Sequence, residues 1–260
     1  MNVTEDSFSV GGRHLDPEHA IAHALALVRE GADAIDVGAA ASNPDARPVP
    51  VDEQIRRLEP VVAALGEAGV PVSVDAFDPE VQRWALAHDV AYLNDVRGFA
   101  APSLHAVLAN GNSRLVVMHD IHHDGRQSGG IGDATDLLFD RVATFLEERV
   151  AMLEQAGVAR ERCLVDPGMG LFLGRAPDAS LGMLRRLGDL RRRLGLPVLV
   201  SVSRKSFLGA LTGRAPDGRG AATLAAELFA ARQGVDWIRT HDVGALRDAL
   251  LVDRALGGRG

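Results

Sequence analysis

Short apolar, β-branched runs alternate along this chain with longer amphipathic stretches, and that alternation restricts the fold more than any other feature. Strands buried on both faces read as near-continuous apolar runs. When such strands lie parallel, helices must carry the chain from one to the next, so the pattern predicts repeated βα units. Seven runs predict strands: Ala34–Gly38, Val70–Asp75, Ala91–Asp95, Arg114–His119, Arg162–Asp166, Pro197–Ser203 and Val235–Arg239. Eight patterns predict helices: Pro17–Glu30, Val51–Ala68, Pro79–His88, Pro102–Ala109, Ala134–Ala156, Ser180–Leu194, Gly220–Gln233 and Gly244–Leu256. Several of them open with Asp, Ser or Pro, as helix N-termini do. One helix precedes the first strand, so the count fits an α/β TIM (β/α)8 barrel whose first strand is missing from this chain. Met1 runs directly into the loop-like Asn2-Val3-Thr4-Glu5-Asp6-Ser7. The Gly-rich Gln127–Asp133 stretch is short enough to be a βα loop, and no linker divides the chain, so a single domain over residues 1–260 is expected.

With 260 residues and 47% hydrophobic content, one large core is affordable. A formal charge of −7 without any basic cluster argues against a nucleic-acid surface, so any phosphate must be held locally. A lone Cys163 forms no intramolecular disulfide, and no signal-like leader is visible, which predicts a cytoplasmic protein. No apolar run approaches the roughly 20 residues of a membrane helix, so no membrane partner is expected. Of the 28 basic residues, Lys205 is the only lysine. A codon bias that favours arginine wherever either cation serves accounts for the composition; a lysine kept against it is either an accident of codon usage or marks a position where a planar fork does not replace the compact ammonium.

In parallel barrels the reacting groups lie at the C-terminal strand ends. Each predicted strand here delivers polar residues there: Asp36, Asp75, Asn94-Asp95, His119-Asp120, Asp166, Ser203-Arg204-Lys205 and Arg239-Thr240-His241-Asp242. Taken singly, an Asp after a strand is more often a helix cap or turn former, and Asp36 and Asp242 fit that reading. Taken together, carboxylates, amide, lysine, arginine and histidine converging on one rim point to a site. Asp75, Asn94 and Asp166 suit the donor and acceptor edges of a flat heterocycle, whereas Arg239 and His241 with Asn2 suit a phosphorylated end.

Eight segments in this order resemble the dihydropteroate synthase family across essentially the whole chain. They are Asn2-Val3-Thr4-Glu5-Asp6-Ser7-Phe8-Ser9, Asp36-Val37-Gly38, Ser73-Val74-Asp75, Leu93-Asn94-Asp95, Val117-Met118-His119, Asp166-Pro167-Gly168-Met169-Gly170, Ser203-Arg204-Lys205-Ser206-Phe207 and Arg239-Thr240-His241-Asp242-Val243. The wording of the first segment, of Ala40–Val49 and of Ser201–Gly209 is similar to the mobile sulfonamide-resistant branch. The resemblance implies that para-aminobenzoate displaces pyrophosphate from 6-hydroxymethyl-7,8-dihydropterin diphosphate in folate synthesis, with Mg2+ assisting the diphosphate. It implies that Asp75, Asn94, Met118, Asp166 and Lys205 line a pterin pocket, with Lys205, Asp75 and Asp166 as the catalytic set. Asn2, Arg239 and His241 would bind the diphosphate, Asn2 also the metal, and Ser42, Phe172, Lys205 and Ser206 the aminobenzoate. It further implies a homodimer through the last helices.

Two departures bear on function. Asn43 stands where the family has an arginine, and Leu171-Phe172 where the resistant branch has paired phenylalanines. Together they make reduced sulfonamide sensitivity an expectation of intermediate degree. Three other readings compete: a methyltetrahydrofolate-dependent methyltransferase, a hydrolase with metal on His119, His122 and His123, and a non-catalytic or truncated pterin-binding paralogue. The Ser203-Arg204-Lys205 segment and the Asn2–Phe8 loop count against the first, and the lack of a His-x-His pair against the second.

Overall fold

A computed structural model of the chain describes residues 16–40, 48–123 and 135–257. It divides into two compact units, Met1–Val116 with Leu153–Arg162, and Val117–Met152 with Cys163–Gly260. The first strand was expected to be missing from the chain, and residues 1–15, which precede the first described helix, lie outside those described.

The first unit runs α1 (Pro17–Glu30), β1 (Ile35–Gly38), α2 (Val51–Glu67), β2 (Val72–Asp75), α3 (Pro79–Ala87), β3 (Tyr92–Asp95), α4 (Pro102–Asn110) and the start of β4 (Arg114–Met118). Asp16 accepts the Glu18 N–H and Pro17 opens α1, while Gly31 at φ 109° closes it. Asp78 caps α3 in the same way, ahead of Pro79. Such a cap satisfies a backbone donor that the helix cannot, and losing it costs about 1 kcal/mol. The strands pair parallel, Gly38 opposite Asp75 and Asp75 opposite Asn94, so their polar ends stand in line. Val37, Val74 and Leu93 are fully buried, as are Leu58, Val61 and Leu65 of α2. Each such side chain stabilises the fold by roughly 1.5–3 kcal/mol relative to exposure.

The second unit contains the end of β4, most of α5 (Thr135–Gln155), β5 (Cys163–Asp166), α6 (Pro177–Arg185), α7 (Leu187–Leu194), β6 (Leu199–Val200), α8 (Ser206–Thr212), α9 (Gly220–Arg232), β7 (Trp237–Ile238) and α10 (Val243–Ala255). Hydrogen-bonded strand neighbours follow chain order from β1 to β5, with β6 and β7 as a separate parallel pair. The buried residues are again aliphatic: Leu164 and Val165 of β5, Val198 and Val200, and Leu187, Leu190 and Leu194 of α7.

Three expectations need correction. The single helix over Ser180–Leu194 is two, broken at Arg186 (φ −112°, ψ 12°), whose guanidinium lies 3.6 Å from the centre of the Phe139 ring on α5. The two strands expected last are shortened to pairs of residues, because Asp236 and Trp237 both donate to the Val198 carbonyl and the ladder loses its regular spacing. Ser206–Thr212 is a helix that the apolar pattern did not suggest. No helix among the described residues is long and apolar enough to cross a membrane.

Candidate active site

Asp75 and Asn94 end neighbouring strands of the first unit, in register with each other. Asn94 is buried, and its Oδ1 has no hydrogen-bond partner among the described residues. A buried amide oxygen left so costs about 1–3 kcal/mol, a cost that a donor on a bound molecule would remove. The adjacent Asp95 is different. Its carboxylate accepts from Gln82 Nε2 at 2.9 Å, Arg97 N at 2.7 Å and Phe99 N at 3.0 Å. It thereby fixes a turn in which Phe99 has φ 57°, and burial pushes its pKa up. Of the two side chains, Asn94 is the one that keeps an acceptor without a partner among the described residues.

Asp36 accepts a 2.5 Å hydrogen bond from Ser73 Oγ, which ties β1 to β2. Helix α2 holds both ends of the following loop, because Arg57 Nη1 donates to the Ala39 carbonyl and Gln54 Nε2 to that of Val49. Ser42 and Asn43 in this loop, and Asn2, lie outside the described residues.

In the second unit Met118 and Asp166 are buried at the ends of β4 and β5, and the Asp166 carbonyl accepts the His119 N–H. Asp166 Oδ1 accepts the Gly168 N–H at 2.8 Å. Gly168 has φ 69°, and a Cβ there would collide with the His119 carbonyl oxygen, so only glycine allows the turn. Gly170 plays a second such part: at φ 68° its Cβ would stand 3.1 Å from Lys205 Cδ. The lysine stem therefore passes across a bare backbone. Its Nζ donates to the Met169 carbonyl at 3.1 Å and lies 4.6 Å from the centre of the Phe172 ring. Ser206, exposed, opens α8 beside this ammonium. The loop after Asp166 thus carries the Met169 carbonyl and the Phe172 ring that hold the Lys205 ammonium.

His241 Nδ1 is hydrogen-bonded to Ser203 Oγ at 2.8 Å. The residue is exposed overall, yet desolvation of its ring comes first in lowering its pKa to about 4, with Arg204, Arg239 and Lys205 adding repulsion. Neutral imidazole is therefore its resting form, flanked by cations that can receive an anion. Asp242 accepts the Ala245 N–H and caps α10, the plainer of its two readings. Behind this loop Glu227 is buried on α9 with its pKa raised to about 7, first by desolvation, while a hydrogen bond from Thr240 opposes the shift and the Asp242 charge adds to it. The sequence reading missed Glu227, Thr223 and Arg219. A glutamate inside an alanine-rich helix was the available signal.

The metal-hydrolase reading finds no ligand set. Phe145 meets the buried His119 edge-on, His123 Nδ1 is engaged by Asp120 at 2.7 Å, and no three His, Cys, Asp or Glu among the described residues could hold a metal.

The chain matches the pterin binding enzyme family over residues 1–241. It is 53% identical over 256 residues to dihydropteroate synthase type-2 of Escherichia coli, covering 98% of this chain and 94% of that protein. Against the type-3 protein of Escherichia coli the figures are 47% over 257 residues, 99% and 97%. Among solved structures, the Xanthomonas albilineans dihydropteroate synthase with 4-aminobenzoic acid is 39% identical with a TM-score of 0.87, covering all of this chain and 92% of that one. The Yersinia pestis enzyme, solved with a sulfonamide drug complex, is 31% identical with a TM-score of 0.89, covering 99% and 92%. These relatives share the (β/α)8-barrel fold. The chain belongs to the pterin-binding enzymes and, within them, to the dihydropteroate synthases.

Proposed function

We propose that this chain condenses 6-hydroxymethyl-7,8-dihydropterin diphosphate with para-aminobenzoate, releasing pyrophosphate and 7,8-dihydropteroate. The C–O bond of the pterin methylene breaks with its electron pair leaving on pyrophosphate. The aromatic amine then supplies the pair for the new C–N bond and loses a proton to solvent. No protein nucleophile takes part, so the residues act by orienting both partners and by taking up the charge of the leaving group.

The observation that carries this reading is Lys205. The only lysine of the chain passes across Gly170 and is fixed between the Met169 carbonyl and the Phe172 ring, within the loop that follows Asp166. A compact ammonium held there suits a flat ligand edge better than a planar fork does. Asp75, Asn94, Met118, Asp166 and Lys205 are the residues proposed to read the pterin, as the family's motifs imply, and the buried Asn94 oxygen has no partner among the described residues. Arg239 and neutral His241, with Asn2, take the diphosphate. Ser42, Phe172, Lys205 and Ser206 take the aminobenzoate, in keeping with the 4-aminobenzoic acid and dihydropteroate complexes of the Xanthomonas albilineans enzyme.

Mg2+ is proposed as a companion of the diphosphate, since such ions commonly bind through substrate phosphates with one or two protein oxygens and need no carboxylate cage. Asn2 is the residue proposed to hold it, and the ion would neutralise charge on the leaving group. The enzyme is further proposed to be cytoplasmic and homodimeric. Leu251 and Val252 of α10, Leu256 at its C-cap and Phe229 of the adjacent α9 are exposed apolar residues of the kind that symmetric dimers cover. Intermediate sulfonamide tolerance rests on Phe172 beneath Lys205 with the exposed Leu171 in place of a second aromatic.

The pterin assignment is tested by calorimetry with a dihydropterin ligand. Asn94→Leu, which keeps the volume and removes the amide, is expected to weaken binding about tenfold or more, roughly 1.4 kcal/mol. Unchanged affinity contradicts the assignment.

A further inference from the structure

Arg219, Thr223 and Glu227 are spaced four residues apart, so they form one stripe along α9. Each reaches a loop that carries site residues. Arg219 Nη1 donates to the Arg204 carbonyl at 2.7 Å and to that of Lys205 at 3.3 Å, and its Nε to Arg214 at 2.9 Å. Gly209 leaves the room for this guanidinium, since any Cβ there would strike it. Thr223 Oγ1 accepts the Arg204 N–H at 2.9 Å. Arg204 has φ 58°, a left-handed conformation that costs energy in a non-glycine residue and persists only when its surroundings enforce it. Here both its N–H and its carbonyl are held from α9.

At the other end of the stripe, the buried Glu227 carboxylate accepts a hydrogen bond from Thr240, whose hydroxyl oxygen accepts the Asp242 N–H at 3.2 Å. His241 lies between those two residues. Helix stability does not account for these choices. A cation at a helix N-terminus opposes the helix dipole, and Arg219 is the N-cap residue of α9. Glu227 Oε1 is buried with no partner among the described residues, which costs stability. Both residues are placed against local preference, and both touch the backbone or side chains of the two site loops.

We propose that Arg219, Thr223 and Glu227 are positioning residues: the first two set Lys205, and Glu227 sets His241. The proposal rests on the function argued above, in which Lys205 serves the pterin and amine while His241 serves the diphosphate. It predicts a division of effects that general destabilisation does not produce.

The full-length protein is compared with Arg219→Lys, Thr223→Val, Thr223→Ser, Glu227→Leu and Glu227→Gln. Melting temperature, kcat, affinity for 6-hydroxymethyl-7,8-dihydropterin and affinity for inorganic pyrophosphate with Mg2+ are measured for each. Thr223→Val and Arg219→Lys are expected to lower kcat about tenfold, with pyrophosphate affinity unchanged. Glu227→Leu is expected to weaken pyrophosphate about fivefold, with dihydropterin affinity unchanged. The variants that keep an acceptor, Thr223→Ser and Glu227→Gln, should recover most of each loss. If the unaltered chain makes dihydropteroate but Thr223→Val and Glu227→Leu match it, or lose both affinities in step with their melting temperatures, the stripe has no positioning role. If the unaltered chain makes no dihydropteroate, the function fails and the stripe proposal with it.

Discussion

Lys205 carries most of the proposed chemistry. Its isolation among arginines marked it from composition, and in the structure its ammonium is fixed between a carbonyl and an aromatic ring. Lys205→Arg is expected to lower kcat/KM at least about tenfold, close to the loss in Lys205→Ala, because the planar fork is broader than the ammonium and its stem must still clear Gly170. Initial rates over a range of both substrates check this, and full activity in Lys205→Arg would leave the single lysine to codon usage. The surroundings of other residues were less legible. Asn94 was chosen over its neighbour as a reader of a heterocycle, and its oxygen is unpartnered among the described residues while Asp95 is consumed by three donors. Alternation along a strand implies only that neighbours face opposite ways, and the Gln82 and Phe99 contacts that engage Asp95 are not encoded in the pattern.

At the scale of elements, β1 to β5 were legible within two residues because each carries a short apolar run with polar residues at or next to its end. The breaks were not. Arg186 interrupts a continuous amphipathic pattern through its contact with Phe139 on another helix, and α8 is too short for its period to stand out. The loop after β5 was legible as a motif, and its geometry explains its glycines. Gly168→Ala is expected to destabilise the fold by about 2 kcal/mol or more, since φ 69° and the His119 carbonyl both exclude a methyl group. Denaturant unfolding measures it. A Gly168→Ala chain as stable as the original would contradict the close approach of these two strand ends.

For the whole molecule, stability depends on pH partly through Glu227. Its pKa is raised from 4.5 to about 7, by burial first and then by Asp242, against the hydrogen bond from Thr240. The folded chain thus binds this proton more tightly than the unfolded chain does, so the group removes stability as pH rises through that window, by up to about 3 kcal/mol. Glu227→Gln should unfold with a smaller decline between about pH 5 and about pH 8, and an unchanged slope would show that the carboxyl is ordinary.

Turnover of the purified protein tests catalysis by this chain without intermediaries. The protein is mixed with 6-hydroxymethyl-7,8-dihydropterin diphosphate, para-aminobenzoate and Mg2+, and dihydropteroate and pyrophosphate are both quantified. The two products should appear in equal amounts, and their formation should collapse in Lys205→Ala. Pyrophosphate without dihydropteroate, or neither product from a folded chain that binds the pterin, would contradict the proposed reaction.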